Sequence, residues 1–316
     1  MTNPTTRYIS IVHGLRRAAH GGKAVADWMR LGAILALTDD RPAADLVRAV
    51  DKAAYALRHH AGWSADLATP AQWPVAGLVV SLGLDAHRFA YECETVCQRL
   101  HDGGMPNAGT WAPYVVGALR QWESLWPVGP ETVQAMGGLF LALKNYHRWT
   151  TGPDDLAVCA TLVGNGGATA QEIEALDRGI SDIFAWSGND VQAAACLLAL
   201  GGKDVAPLVN RFRAVVDAFI ELRSEIWQID PAALALVVLG GHDPQAAAAE
   251  VLNAFADVTG KRLLGEPAVD LTAAVAIHLA GLPAIHSAGI HGRRLRAALT
   301  VVVGRLEHRL LAEPMV

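Results

Sequence analysis

Cysteine is scarce in this sequence, with four in 316 residues. That excludes a disulfide-built domain. No CxxC pair occurs, which removes the common zinc and dithiol motifs. Charge is also sparse, at 18% of residues against 52% hydrophobic, and this excludes a disordered chain. Twenty-six basic and 31 acidic residues leave a net charge of −5, so no broad basic field for nucleic acid exists. The start, MTNPTTRYISIVHGL, lacks the basic segment followed by an apolar core that marks a secretory signal. Two long stretches carry no Asp, Glu, Lys or Arg: Leu67 to Leu84 and Leu271 to Gly292. Pro70 and Pro74 interrupt the first, and His278, Pro283, His286 and His291 the second, so both read as buried helices rather than membrane spans. The expectation is a cytoplasmic protein whose thiols, Cys93, Cys97, Cys159 and Cys196, are buried. Strand-like alternation is absent, and so are GxxxxGK[ST], a GxGxxG after a strand, and GxSxG. The glycine pairs are helix stops, and nothing implies a cofactor.

What the chain does contain is an internal period near 40 residues. Short apolar runs end in turns at Leu37, Leu82, Val163, Leu200, Leu239 and Leu279, with steps of 45, 81, 37, 39 and 40. The step of 81 is two periods and leaves room for a degenerate unit around Ala118 to Trp126. Each unit pairs a short apolar helix with a longer amphipathic one. VQAAACLLAL, AALALVVL and LTAAVAIHLA have no polar stripe, so protein should surround them. The second helix carries a charged face, as at Arg211, Arg213, Asp217 and Glu221. Exposure of Arg211 and Glu221 and burial of Ala195, Ala235 and Ala274 follow. Asp230-Pro231 is an N-cap followed by proline at the first helical position. Asp154, Asn189, Asp190 and Asp270 also place short acceptors at helix starts, and glycine after the last apolar residue suits a left-handed cap. The fold class is all-α. About seven helical hairpins form an α/α-toroid or a tightly curved solenoid, as one domain over residues 1–316.

The tryptophans follow the period. Trp73, Trp111, Trp149, Trp186 and Trp227 are 38, 38, 37 and 41 residues apart, each at the start of an apolar helix. If those helices run parallel, their N-termini form one mouth, with Trp149, Trp186 and Trp227 gathered there and with Trp111 and Trp73 completing a substrate-binding surface. A residue just ahead of a helix also packs on its first turn as a staple, and an acid there is ordinarily a cap.

Asp154 and Asp155 stand out because one carboxylate suffices for a cap. Two adjacent acids split their pKa values, so one can hold a proton near neutrality. The expected division makes Asp155 the cap and Asp154 the acid. Asn189-Asp190 occupies the matching place one repeat later, and His147 lies just upstream. The candidate catalytic residues are therefore Asp154, Asp155, His147 and Asp190, with Asn189 beside the tryptophans as a binding residue. His59, His60, His242 and His308 read as solvated. His278, His286 and His291 lack the spacing of a single-helix zinc face, so no metal is expected. Arg293, Arg294, Arg296, Arg305 and Arg309 form a basic C-terminal end that offsets acidic neighbours or meets an anionic group.

HRWTTGPDDLAVCATLV and WSGNDVQAAACLLALGG resemble the paired segments of an uncharacterised bacterial helical-repeat family, a domain of unknown function. The likeness covers roughly residues 140–205. It implies an all-helical fold and marks His147, Asp154, Asp155, Asn189 and Asp190. The layout is also similar to the α/α-toroids of class II terpenoid cyclases, whose DxDD motif corresponds here to Gly152-Pro153-Asp154-Asp155, without the first acid. Lanthionine cyclases share the toroid, but their zinc ligands are absent. Three functions compete. The first is a small-molecule enzyme in an aromatic-lined cavity, performing acid-initiated cyclisation or isomerisation of an apolar, isoprenoid-like ligand. The second is a non-catalytic binding or scaffold protein, with homo-oligomerisation possible. The third is a glycosidase or lyase. A closed cavity around Asp154 favours an enzyme, and a filled centre favours a scaffold.

Overall fold

The computed structural model describes residues 3–18, 26–60, 70–147, 151–184, 188–222, 230–260 and 266–312. Among these, the regular structure is helical throughout: fifteen α-helices, a few short 3-10 turns and no strand. The odd-numbered helices of the hairpins are α1 (Pro4–Ala18), α3 (Ala43–Arg58), α5 (Ala86–Asp102), α7 (Pro130–Tyr146), α9 (Ala170–Phe184), α11 (Val205–Leu222) and α13 (Pro244–Gly260). The even-numbered ones are α2 (Ala26–Ala36), α4 (Gln72–Ser81), α6 (Ala112–Arg120), α8 (Asp155–Gly164), α10 (Asn189–Leu198), α12 (Pro231–Gly240) and α14 (Pro267–Gly281). A final helix, α15, spans Ile290–Ala312.

The even set is mostly apolar and, beyond the first residues, almost wholly buried. In α12 each residue from Pro231 to Gly240 is buried, and Ala195, Ala235 and Ala274 are wholly inaccessible. The odd set buries one stripe, such as Leu46, Val50, Ala53, Ala54 and Leu57 of α3. Glu221 is exposed, as its place on the charged face requires. Arg211 is only half-exposed, because its Nη2 donates to the His242 carbonyl at 2.8 Å.

The caps agree with the sequence in α12 and differ elsewhere. Asp230 Oδ1 accepts the Ala232 N–H at 2.8 Å, Pro231 opens the helix, and Gly241 closes it at φ 84°, which suits a residue without Cβ. In α14 the cap is Glu266, which accepts the Val269 N–H, and Asp270 is drawn instead to Arg30 of α2. Asn189 and Asp190 lie inside the first turn of α10 behind Gly188, so neither caps it. Cys93, Cys159 and Cys196 are buried, while Cys97 is only partly so.

Each even helix packs on the next even one, and α14 packs back on α2; the odd helices follow the same order, with α13 against α1. α2 and α4 approach closely, and a Cβ at position 77 would meet the Gly32 carbonyl oxygen at 2.2 Å. Gly77→Ala should therefore destabilise the protein by about 1–3 kcal/mol through overpacking. Gly138→Ala in α7, where a Cβ meets nothing, should stabilise it by up to about 1 kcal/mol through helix propensity. Urea denaturation of both variants checks this, and equal stabilities would refute the close approach.

α15 departs from the hairpin pattern. It packs on α2, α4, α6, α8, α12 and α14, and its residues from Ala297 to Glu307 are all buried. At its start, Arg296 donates to Gln121 just beyond α6, and Arg294 to Asn165 just beyond α8. Near its end, Arg305 reaches Asp154 ahead of α8, and His308 stacks on Trp111 ahead of α6. It therefore runs antiparallel to α6 and α8, which sets its negative dipole end among positive helix N-termini. No single helix among the described residues is long and apolar enough to cross a membrane.

Candidate functional site

The N-terminal ends of α8, α10 and α12 bring four acids toward the last turns of α15. Asp154 directly precedes α8, Asp155 opens it, Asp190 lies in the first turn of α10, and Asp230 precedes α12. Arg305 enters from α15, with Nη1 at 3.2 Å from Asp154 Oδ2 and Nη2 at 3.4 Å from Asp190 Oδ1. Arg305 Nη2 also donates to the Asn189 carbonyl at 3.1 Å. One turn on, Arg309 pairs with Asp190 and stands 3.4 Å from Asp230 Oδ2. Asn189 Nδ2 donates to Asp154 Oδ2 at 3.1 Å, so the two matching repeat positions meet directly. Gln192 Nε2 donates to Thr151 Oγ1 at 3.2 Å beneath them.

The expected division between the paired acids is not what the geometry gives. Asp154 occupies the cap position but makes no capping hydrogen bond; Arg305 and Asn189 hold it instead. Asp155 is 1% exposed, and its Oδ2 accepts the Gly152 N–H at 3.0 Å, reaching back to fix the turn. Asp155 also carries the perturbed titration. Burial and then the Asp154 charge push its pKa up to about 7, against the opposing pull of Arg305 and the Gly152 hydrogen bond. Holding the turn and holding the proton thus fall on one residue, and neither acid caps α8. The physical reason is Arg305, which arrives from far along the chain and keeps a partner for Asp154. Burial likewise raises the pKa of Asp230, with Arg309 opposing it.

His308 is only half-exposed. Its ring stacks on Trp111 with centroids 3.8 Å apart and planes 6° from parallel, and its Nε2 is 3.2 Å from Thr110 Oγ1. Burial lowers its pKa to about 4, against the attraction of Asp154, so it is neutral at physiological pH.

Other expected members lie elsewhere. The His147 imidazole is 3.0 Å from Glu174 of α9, so it is engaged with an odd-numbered helix. Trp73 falls within α4 rather than before it and is 3% exposed, a core residue. Trp111 is 8% exposed and belongs to the cluster through His308. Trp149, Trp186 and Trp227 lie outside the described residues. His278 is buried with its Nδ1 2.8 Å from Glu250, and His286 with its Nδ1 2.8 Å from Asp40. Among the described residues no three His, Cys, Asp or Glu side chains are placed to hold one metal ion.

The sequence placed Arg305 and Arg309 in a basic end that offsets acidic neighbours, and they do so here, but it did not tie them to the acids at the even-helix starts and it missed His308, although a signal existed. The run AALTVVVG at 297–304 is apolar without a polar stripe, just as the even helices are. The same rule marks α15 as surrounded by protein, and it carries the arginines inward with it. Comparison of the chain with family models, with curated proteins and with solved structures gives no match.

Proposed function

We propose that the seven hairpins form a single-domain α/α-toroid, closed by α14 on α2 with α15 along its axis. The end where the even helices begin is the working end of a small-molecule enzyme. The observation that carries this is the Asp155–Asp154–Arg305 arrangement: a buried carboxyl with a pKa near 7, beside a carboxylate held by a guanidinium. Such a pair supplies a Brønsted acid next to a fixed negative charge, the requirement for starting and steering a cationic isomerisation or cyclisation. Asp155 Oδ1 has no hydrogen-bond partner among the described residues and is the atom left for proton transfer. Arg305 and Asn189 position Asp154, and Trp111 with neutral His308 forms an aromatic floor at its side.

A second reading has its own support. α15 takes up the axis that a large apolar substrate would need, and a plugged ring suits a binding or scaffold protein.

The test is to incubate the full chain with acyclic polyprenyl alcohols and diphosphates and to analyse products by mass spectrometry. Asp155→Asn keeps an acceptor for the Gly152 N–H and should stay folded. It should lose about 100-fold or more of any turnover. Its stability should also fall less between mild acid and neutral pH than that of the parent. A carboxyl whose folded pKa is raised loses stability as pH climbs from its unfolded value to its folded one. A parent without turnover across the panel, or an unchanged rate in Asp155→Asn, would leave the scaffold reading standing.

A further inference from the structure

A separate cleft of about 580 Å³ lies at the opposite ends of the helices, where the first hairpin meets the last. The start of α1, the turn between α2 and α3, the end of α14 and His286 line it. Two opposite charges, Arg7 and Asp40, face this space, near enough to attract each other but without a direct ion pair. Arg7 is fixed by its Nη2, which donates to the Arg41 carbonyl at 2.9 Å, and its other N–H groups have no acceptor among the described residues. Asp40, 65% exposed, uses Oδ1 toward His286 Nδ1 at 2.8 Å, which leaves Oδ2 open. The neighbouring Asp39 and Arg41 bind one another through paired hydrogen bonds, and the Asp39 charge reaches Arg7 only through space. Ala43 also lines the cleft at the start of the 16-residue α3, whose cap residue, Pro42, supplies no side-chain acceptor to the first N–H groups.

We propose that this cleft binds a small zwitterion of amino-acid type. The ligand's carboxylate meets Arg7, with support from the uncapped first turn of α3. Its ammonium group meets Asp40. The Asp40 carboxylate disfavours a phosphate dianion in the same place, which selects a ligand with both signs of charge over a simple anion. The remaining volume takes a side chain. Because α1 and α14 both contribute, an occupied cleft ties the two ends of the hairpin series together, and the ligand should stabilise the whole chain.

Thermal melting and isothermal titration calorimetry of the full chain test this, with free L-amino acids at millimolar concentration as probes and inorganic phosphate as the contrast. At least one amino acid should raise the melting temperature. Its N-acetylated and C-amidated forms should not. Arg7→Met and Asp40→Asn should each weaken binding about tenfold or more, the loss of one charge-assisted contact. Asp40 is exposed, so Asp40→Asn keeps the test valid even if Arg7→Met fails to fold. Three results would overturn the proposal: no stabilisation by any amino acid, binding that Asp40→Asn leaves unchanged, or phosphate binding that Asp40→Asn strengthens in place of amino-acid binding.

Discussion

Replacing Glu307 with methionine is expected to stabilise the protein by about 1–3 kcal/mol, the cost of burying a polar group without a hydrogen bond. Glu307 lies on α15 with no solvent exposure, and neither carboxyl oxygen has a hydrogen-bond partner among the described residues. Burial alone pushes its pKa well above the ordinary glutamate value. The sign of the pH effect follows. In the unfolded chain the group ionises at its ordinary value, whereas the folded chain keeps the proton. Above that value the folded state binds more protons, so stability falls as pH rises toward the folded pKa. The slope from this one group is about 1.4 kcal/mol per pH unit. Glu307→Gln should remove the slope while keeping a polar group, and Glu307→Met should remove both penalties. Urea denaturation at about pH 5 and about pH 8 separates them. A Met variant less stable than its parent, or a parent slope that survives in Glu307→Gln, would show that Glu307 has a partner that ionises with it.

The helical class and the layering of the hairpins were legible because they rest on local rules. An apolar run without a polar stripe must be enclosed, and Asp230-Pro231 and Gly240-Gly241 mark the ends of α12 in the sequence itself. The partners of the acids were not legible, because each comes from a distant element. Asp154 and Arg305 are 151 residues apart, and Asp270 and Arg30 meet only where the last hairpin reaches the first. Long-range packing buries Asp155 and brings Arg305 to Asp154, and so the roles of Asp154 and Asp155 could not be assigned from their adjacency. His308 illustrates the same limit. Near a chain end it reads as solvated, yet the apolar run ahead of it carries it between helices and onto Trp111.

Arg305→Met should destabilise the protein by about 3 kcal/mol, at the lower end for breaking a buried ion pair, since Asp154 and Asp190 keep some contact with water. Methionine retains the bulk of the side chain in the apolar surround of α15, so the loss reports charge rather than a cavity. It also removes the bond to the Asn189 carbonyl, which holds the start of α10 against α15. A second consequence separates this from a general loss of packing. Arg305 is one of the influences that hold the Asp155 pKa down to about 7. Without it, Asp155 should keep its proton to higher pH, and a carbon-detected NMR titration of the Asp155 carboxyl should move its midpoint upward. Asp154→Asn should move the same midpoint downward, because it removes the negative neighbour that raises it. Combining Arg305→Met with Asp154→Asn should restore part of the stability, since Asp154 is the carboxylate left without a cation while Asp190 keeps Arg309, and the coupling is readable in a double-mutant cycle. Additive losses with an unmoved Asp155 midpoint would mean that the arginine only fills space. Opposite shifts in the two single variants would establish that α15 sets the protonation of the acid pair at the start of α8.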